Sequence, residues 1–216
     1  MTEVYLLKVT EPDLEEYNKV LSVVSENRVS KIKSLRQREK QLQALFGELL
    51  LRAVLCTEFG FKNNEITIKT DGTGKPYLVG NKIFFNISHT DGLVAVAVSD
   101  SEVGIDCEYV KEVNLKLIKR YFSIFEQEYV NQKESGKNSR FFEIWTKKEA
   151  FLKRDGVGIR KNLSEVETIG RTDIETFDFD GYIVSVCGDV VSCKTVFSEI
   201  SSNILRKFLE SLNICL

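Results

Sequence analysis

Proline, histidine and net charge are all scarce in this chain, and each scarcity narrows what it can be. Only two prolines occur in 216 residues, and no stretch rich in Pro, Gly or Ser interrupts the sequence, so nothing reads as an interdomain linker. The one histidine, His89, and five cysteines without a C-x-x-C pair (Cys56, Cys107, Cys187, Cys193, Cys215) argue against a zinc site of the Cys/His type. Their odd number argues against a disulfide framework. A formal net charge of −2 supplies no global attraction for nucleic acid or an acidic membrane, so any anion site must be local. No apolar run is long enough to cross a bilayer, and the acidic start MTEVYLLKVTEPD lacks the features of a signal peptide. Together these absences predict a reduced, cytoplasmic, globular protein that engages neither nucleic acid nor membrane.

What is present is ordinary in bulk, with 43% hydrophobic and 29% charged residues, and the chain is long enough to bury a real core. Val4 to Val9 reads as a strand, and Glu11 to Ser25 and Glu39 to Phe59 as helices. In the second helix Leu42, Leu45, Phe46, Leu49, Leu50, Ala53 and Val54 recur at helical spacing, and Gly60 stops it. Ile66 to Ile68, Phe84 to Ile87, Leu93 to Val98 and Val103 to Glu108 read as strands, with DGTG and HTDG as turns. A helical stretch follows from Leu115, and another covers Arg140 to Arg154. Tyr182 to Val186 and Val191 to Phe197 read as a hairpin around CGDV, and Asn203 to Leu212 as a short helix. The pattern predicts an α+β fold of two similar halves, 1–100 and 101–216, packed as one body.

Several stretches carry chemistry. In VGIDCEYV, strand alternation puts Asp106 and Glu108 on one face, about 7 Å apart, with Ile105 and Cys107 facing the core. Two carboxylates on one face repel, a cost tolerated when a cation sits between them; otherwise they are solvent-facing acids. Ser88 and His89 end the strand of FFNISHT, where a hydroxyl, an imidazole and backbone amides can meet a phosphate, unless His89 only satisfies a neighbouring carbonyl. DGTGKPYL sets Lys75 between Gly74 and Pro76 without the spacing of a P-loop. RVSKIKSLRQREK concentrates Arg28, Lys31, Lys33, Arg36, Arg38 and Lys40 against one acid, Glu39, either a local anion site or a solvated helix face. Finally, EIWTKKEAFLKRDGVGI places Glu149 one turn before Lys153. A surface pair in that order stabilises a helix by about 0.2–0.5 kcal/mol, but this pair borders the apolar stripe of Phe141, Trp145 and Leu152.

In order, GKP, NISHT, GIDCE and WTKKEAFLKRDGVGI resemble the successive motifs of the 4'-phosphopantetheinyl transferases. The family's G-x-D-x-E and W-x-x-K-E-x-x-x-K signature falls at Gly104, Asp106, Glu108, Trp145, Lys148, Glu149 and Lys153. The length resembles the larger single-chain class that activates peptide and polyketide synthetases, a monomer whose two α+β halves form a pseudo-dimer. The resemblance implies transfer of the 4'-phosphopantetheine arm of coenzyme A to a serine of an apo acyl or peptidyl carrier protein, with release of adenosine 3',5'-bisphosphate. Asp106, Glu108 and Glu149 match the family's Mg2+ ligands, and Lys153 matches its diphosphate contact. Lys75 matches the lysine beside the adenine pocket, and Ser88 and His89 match phosphate contacts. Arg28 and Lys31 match contacts to the 3'-phosphate. The implied catalytic set is Glu149, Lys153 and His89. Thr90 and Ala44 depart from the family pattern, and Ala44 removes one phosphate contact. Beyond Leu163 no motif matches.

Overall fold

The computed structural model describes residues 2–114, 116–156, 163–188, 194–196 and 198–214. Strand β1 (Thr2–Lys8) opens the chain, and α1 (Leu14–Leu21) starts at a capping box in which Asp13 and Glu16 each accept the other's backbone amide. The helix predicted to run to Ser25 ends at Leu21, because Ser25 caps a second helix, α2 (Glu26–Ser34), and accepts from the amide of Arg28. Helix α3 (Arg38–Thr57) follows, then the hairpin of β2 (Ile68–Thr70) and β3 (Pro76–Leu78). Next come β4 (Phe84–Thr90), β5 (Leu93–Ser99) and β6 (Val103–Tyr109). Three helices, α4 (Lys116–Tyr121), α5 (Ile124–Asn131) and α6 (Lys137–Asp155), precede β7 (Ile174–Phe179) and β8 (Tyr182–Gly188). The short β9 (Lys194–Val196) and α7 (Ser198–Ser211) close the fold.

Two sheets organise this α+β architecture, one in the order β4-β5-β1-β9 and one in the order β6-β8-β7. β1 alternates cleanly. Tyr5 and Leu7 face α3 and α7, where Leu45, Leu49 and Phe208 meet them, and Val4 and Leu6 face the second sheet. All of β5 is buried, since apolar layers cover both its faces; that is why it reads as an unbroken apolar run. Between the sheets, Leu93, Ala95 and Ala97 pack on Ile105, Cys107, Val184 and Val186.

Among the described residues the expected hairpin around CGDV does not form; residues 189–193 and 197 of that stretch lie outside them. β8 has β6 on one edge and β7 on the other, so residues 194–196 pair instead in parallel with β1. The hairpin partner of β8 is β7, joined through Asp180 and Gly181, both at positive φ (50° and 81°), the geometry of a primed turn. Cys56, Cys107 and Cys187 are free thiols; Cys193 and Cys215 lie outside the described residues. No helix among the described residues is long and apolar enough to cross a membrane.

Helix α6 lies on β6 at backbone contact. A Cβ placed on Gly104 would stand 2.0 Å from the carbonyl oxygen of Ala150 and 2.4 Å from the amide nitrogen of Arg154. The helix ends at Gly156, whose φ of 67° is the left-handed stop favoured by glycine. On its buried side Lys148 is fully enclosed. Its ammonium meets Glu126 at 2.6 Å and donates to the carbonyls of Leu163 and Val166 at 2.7 and 2.5 Å. Gly104→Ala is expected to force α6 off the sheet and cost about 3 kcal/mol, read as a lowered midpoint of thermal unfolding. An unchanged midpoint would show that the helix can ride higher without loss.

Candidate functional site

β6 presents Asp106 and Glu108 toward α6, and α6 turns Glu149 and Lys153 to the same side. Lys153 Nζ bonds Asp106 Oδ1 at 2.7 Å and Ser88 Oγ at 2.9 Å. Ser88 donates to the same Asp106 oxygen at 2.9 Å while accepting from the Cys107 amide at 3.3 Å. Oδ1 thus has two donors, whereas Asp106 Oδ2 is buried without a partner. Thr90 donates to Glu108 Oε2 at 3.2 Å.

The three carboxylates feel one another. Burial raises the pKa of Glu149, the charge of Asp106 adds to the rise, Lys153 opposes it and Glu108 adds again. Glu108 is likewise raised by burial and then by Asp106, with the Thr90 bond pulling the other way. Burial pulls Lys153 down, but the charge and hydrogen bond of Asp106 outweigh it and hold the ammonium above its ordinary value. Among the described residues no three His, Cys, Asp or Glu side chains stand as a ready metal cage; the lysine ammonium is the cation against Asp106. The donor set is nevertheless all oxygen, with one orphaned carboxylate oxygen at its centre. That chemistry fits a hard divalent ion.

His89 borders this cluster at the end of a cleft of about 340 Å³ between α2, α3 and the β2–β3 hairpin. The floor is apolar (Leu35, Ala44, Ile87, Pro76) and the rim carries Arg28, Lys31 and Lys40. His89 is exposed at its edge, yet partial enclosure, then the charges of Lys153 and Lys40, hold its imidazole below the ordinary value. Arg28 is anchored by buried Glu48, its Nε lying 2.7 Å from Oε2. Arg52 takes the other Glu48 oxygen at 2.9 Å, and the Ser25 amide also donates to it at 3.1 Å. Burial alone would raise the pKa of Glu48, but these donors together hold it below the ordinary carboxylate value.

Of the residues singled out in the sequence, Asp106, Glu108, Glu149, Lys153, Ser88 and His89 come together, and Arg28 and Lys31 line the adjoining cleft. Lys75 stands apart. Its ammonium pairs with Glu102 and donates to the carbonyl of Arg154 at 2.5 Å, tying the hairpin to the end of α6, while its neighbours Gly74 and Pro76 line the cleft. Sequence reasoning passed over Glu48 and Gln43. The signal for Glu48 was an acid inside an apolar helix with Arg52 one turn on. Ser88 carries more than expected, since it orients Asp106.

Comparison with known proteins places the chain in a family. Residues 10–101 match the family model described as 4'-phosphopantetheinyl transferase, N-terminal, and residues 102–209 match the 4'-phosphopantetheinyl transferase superfamily. The chain is similar to 4'-phosphopantetheinyl transferase gsp of Aneurinibacillus migulanus, at 29% identity across 100% of this chain and 94% of that protein. It is also similar to 4'-phosphopantetheinyl transferase Sfp of Bacillus subtilis (28%, covering 80% and 85%). With 4'-phosphopantetheinyl transferase psf-1 of Bacillus pumilus it shares 37% identity over 56% of this chain and 53% of that protein.

The raised pKa of Glu149 makes its ionised form a burden on the folded, ligand-free protein at neutral pH. That burden fades as pH falls through the folded pKa toward the unfolded one. Glu149→Gln is therefore expected to raise the thermal midpoint at neutral pH by roughly 2–4 °C, on the order of 1 kcal/mol, with the gain gone near pH ~4. Scanning calorimetry at the two pH values checks this, and a lowered midpoint at neutral pH would contradict it.

Proposed function

The chain belongs to the 4'-phosphopantetheinyl transferase superfamily and transfers phosphopantetheine to carrier proteins, and from that premise we propose how its residues do so. The donor is coenzyme A and the acceptor a serine hydroxyl of an apo acyl or peptidyl carrier protein. The serine oxygen forms a bond to the phosphorus bearing the pantetheine arm. The diphosphate P–O bond breaks, and adenosine 3',5'-bisphosphate leaves. The observation that carries this reading is the convergence of Asp106, Glu108, Glu149 and Lys153 beside a cationic cleft.

Residues up to about 100 supply the nucleotide contacts, and those from 101 supply the carboxylates and α6. Arg28 and Lys31 hold the 3'-phosphate, and the β2–β3 hairpin around Lys75 walls the adenine. Asp106, Glu108 and Glu149 would hold Mg2+ through oxygen ligands. When bound, that ion supplies neutralisation of the diphosphate charge. Lys153 exchanges Asp106 for the diphosphate and stabilises charge as it builds on the leaving phosphate. Partial enclosure and nearby lysines hold the His89 imidazole below its ordinary value, and a phosphate beside it favours the imidazolium, a better donor. Glu149 accepts the serine proton. The protein acts as a cytoplasmic monomer, and carrier proteins dock over the stretch from Lys111 to Phe125, where Ile124 and Phe125 are 72% and 68% exposed.

Incubation with coenzyme A, Mg2+ and an apo carrier protein, followed by intact mass measurement of the carrier, tests the assignment. A gain of one phosphopantetheine is expected. Hydrolysed nucleotide with an unmodified carrier would make it a phosphohydrolase, and coenzyme A binding alone a sensor. Glu149→Gln is expected to lower transfer by about 10²–10⁴-fold with circular dichroism unchanged. Near-normal turnover of that variant would remove Glu149 from the chemistry.

A further inference from the structure

The nucleotide cleft holds a cation beyond those matched to the family's phosphate contacts. Lys40, in the first turn of α3, lines the same cleft as Arg28, Lys31 and His89. One turn further along, Ala44 lines it without a polar atom. Lys40 is exposed, but its ammonium is tethered. Its Nζ donates to Gln43 Oε1 at 3.0 Å, and Gln43 is buried, with its Nε2 donating to Glu39 Oε1 at 2.7 Å. The amide is thereby fixed with its oxygen toward the ammonium, and it stands between Lys40 and Glu39. No ion pair joins those two among the described residues.

Arg28 commits its Nε to Glu48. Lys31, on α2, is exposed as Lys40 is, and lines the cleft from the opposite bank. Lys40 and His89 line the same cleft, and the charge of Lys40 adds to what holds that imidazole below its ordinary value. An ammonium is a compact point charge with rotatable donors, suited to the spread charge of a phosphate monoester. Lys40 and Ala44, one turn apart on α3, line the same cleft, and Ala44 is where the chain departs from the family pattern.

We propose that Lys40, positioned by Gln43, is a specificity-determining residue for the ribose 3'-phosphate of coenzyme A. The proposal rests on the transferase reading above. It separates Lys40 from residues that serve the diphosphate. A donor without the 3'-phosphate gains nothing from Lys40, whereas loss of Lys153 would penalise both donors alike.

Kinetics of the full chain with Lys40→Met, using coenzyme A and 3'-dephospho-coenzyme A as alternative donors, provide the test. The preference for coenzyme A, taken as the ratio of kcat/KM values, is expected to fall about tenfold, the scale of one charge-assisted hydrogen bond. Lys40→Arg is expected to restore most of it. Titration calorimetry adds a readout independent of transfer. The variant should lose about tenfold in affinity for adenosine 3',5'-bisphosphate relative to adenosine 5'-monophosphate. Equal losses on both donors and both nucleotides, or no loss on either, would overturn the assignment. A wild-type protein that binds the bisphosphate through Lys40 yet transfers from neither donor would keep Lys40 as its reader and discard the transferase reading alone.

Discussion

The close approach of α6 to β6 governs the site more than any single charged residue does. Because Gly104 has no side chain, the helix backbone rests directly on the strand, and the distance between Asp106 and the Glu149–Lys153 turn follows from that contact. A larger residue at 104 would part the two elements that carry the acidic cluster. The other side of α6 is pinned by Lys148, whose buried ammonium gathers Glu126 and the carbonyls of residues 163 and 166. Burial works against that charge and lowers its pKa, with Glu126 offsetting part of the loss. Removing one partner of such a pair strands the other. Consecutive residues of one helix thus divide the labour, Lys148 fixing its position and Glu149 facing the acidic cluster.

The site is also electrostatically uneasy. Three carboxylates share one flank of α6, and Lys153 relieves them only in part, leaving Asp106 Oδ2 buried and unbonded. A stretch selected for stability alone would have traded at least one of these acids for an amide. Strain of this kind marks a place where a ligand completes the structure. The ammonium on Asp106 makes the ligand-free arrangement tolerable.

Much of this was legible in the sequence, for definite reasons. Strand alternation put Asp106 and Glu108 on one face, helical spacing put Glu149 and Lys153 one turn apart, and α3 and β5 were read from strong apolar patterns. The parts that escaped depend on contacts between segments far apart in the chain. Nothing local says that residues 194–196 pair with β1 rather than β8, because that is decided by which strand edges are already filled. Likewise GKP reads as a ligand loop, while the ammonium of Lys75 is held by Glu102 and by the carbonyl of Arg154 at the C-terminal end of α6. The break between α1 and α2 turned on Ser25, a cap whose backbone amide also serves Glu48 across the fold.

The location of the site follows from how the two sheets meet. β4 and β6 run side by side without a shared backbone ladder. Asn86 and Ser88, two residues apart on β4, reach across to the amides of Ile105 and Cys107, two residues apart on β6. The shared period of two lets side chains take over what carbonyls do elsewhere in the sheets. Such a seam satisfies the β6 amides and brings hydroxyl and carboxylate groups of separate strands to hydrogen-bonding distance. Ser88 closes the seam through Cys107 and steers Asp106 through the same oxygen. One residue further, His89 turns outward into the cleft. The place where the two sheets join is therefore also where the cationic cleft meets the acidic cluster.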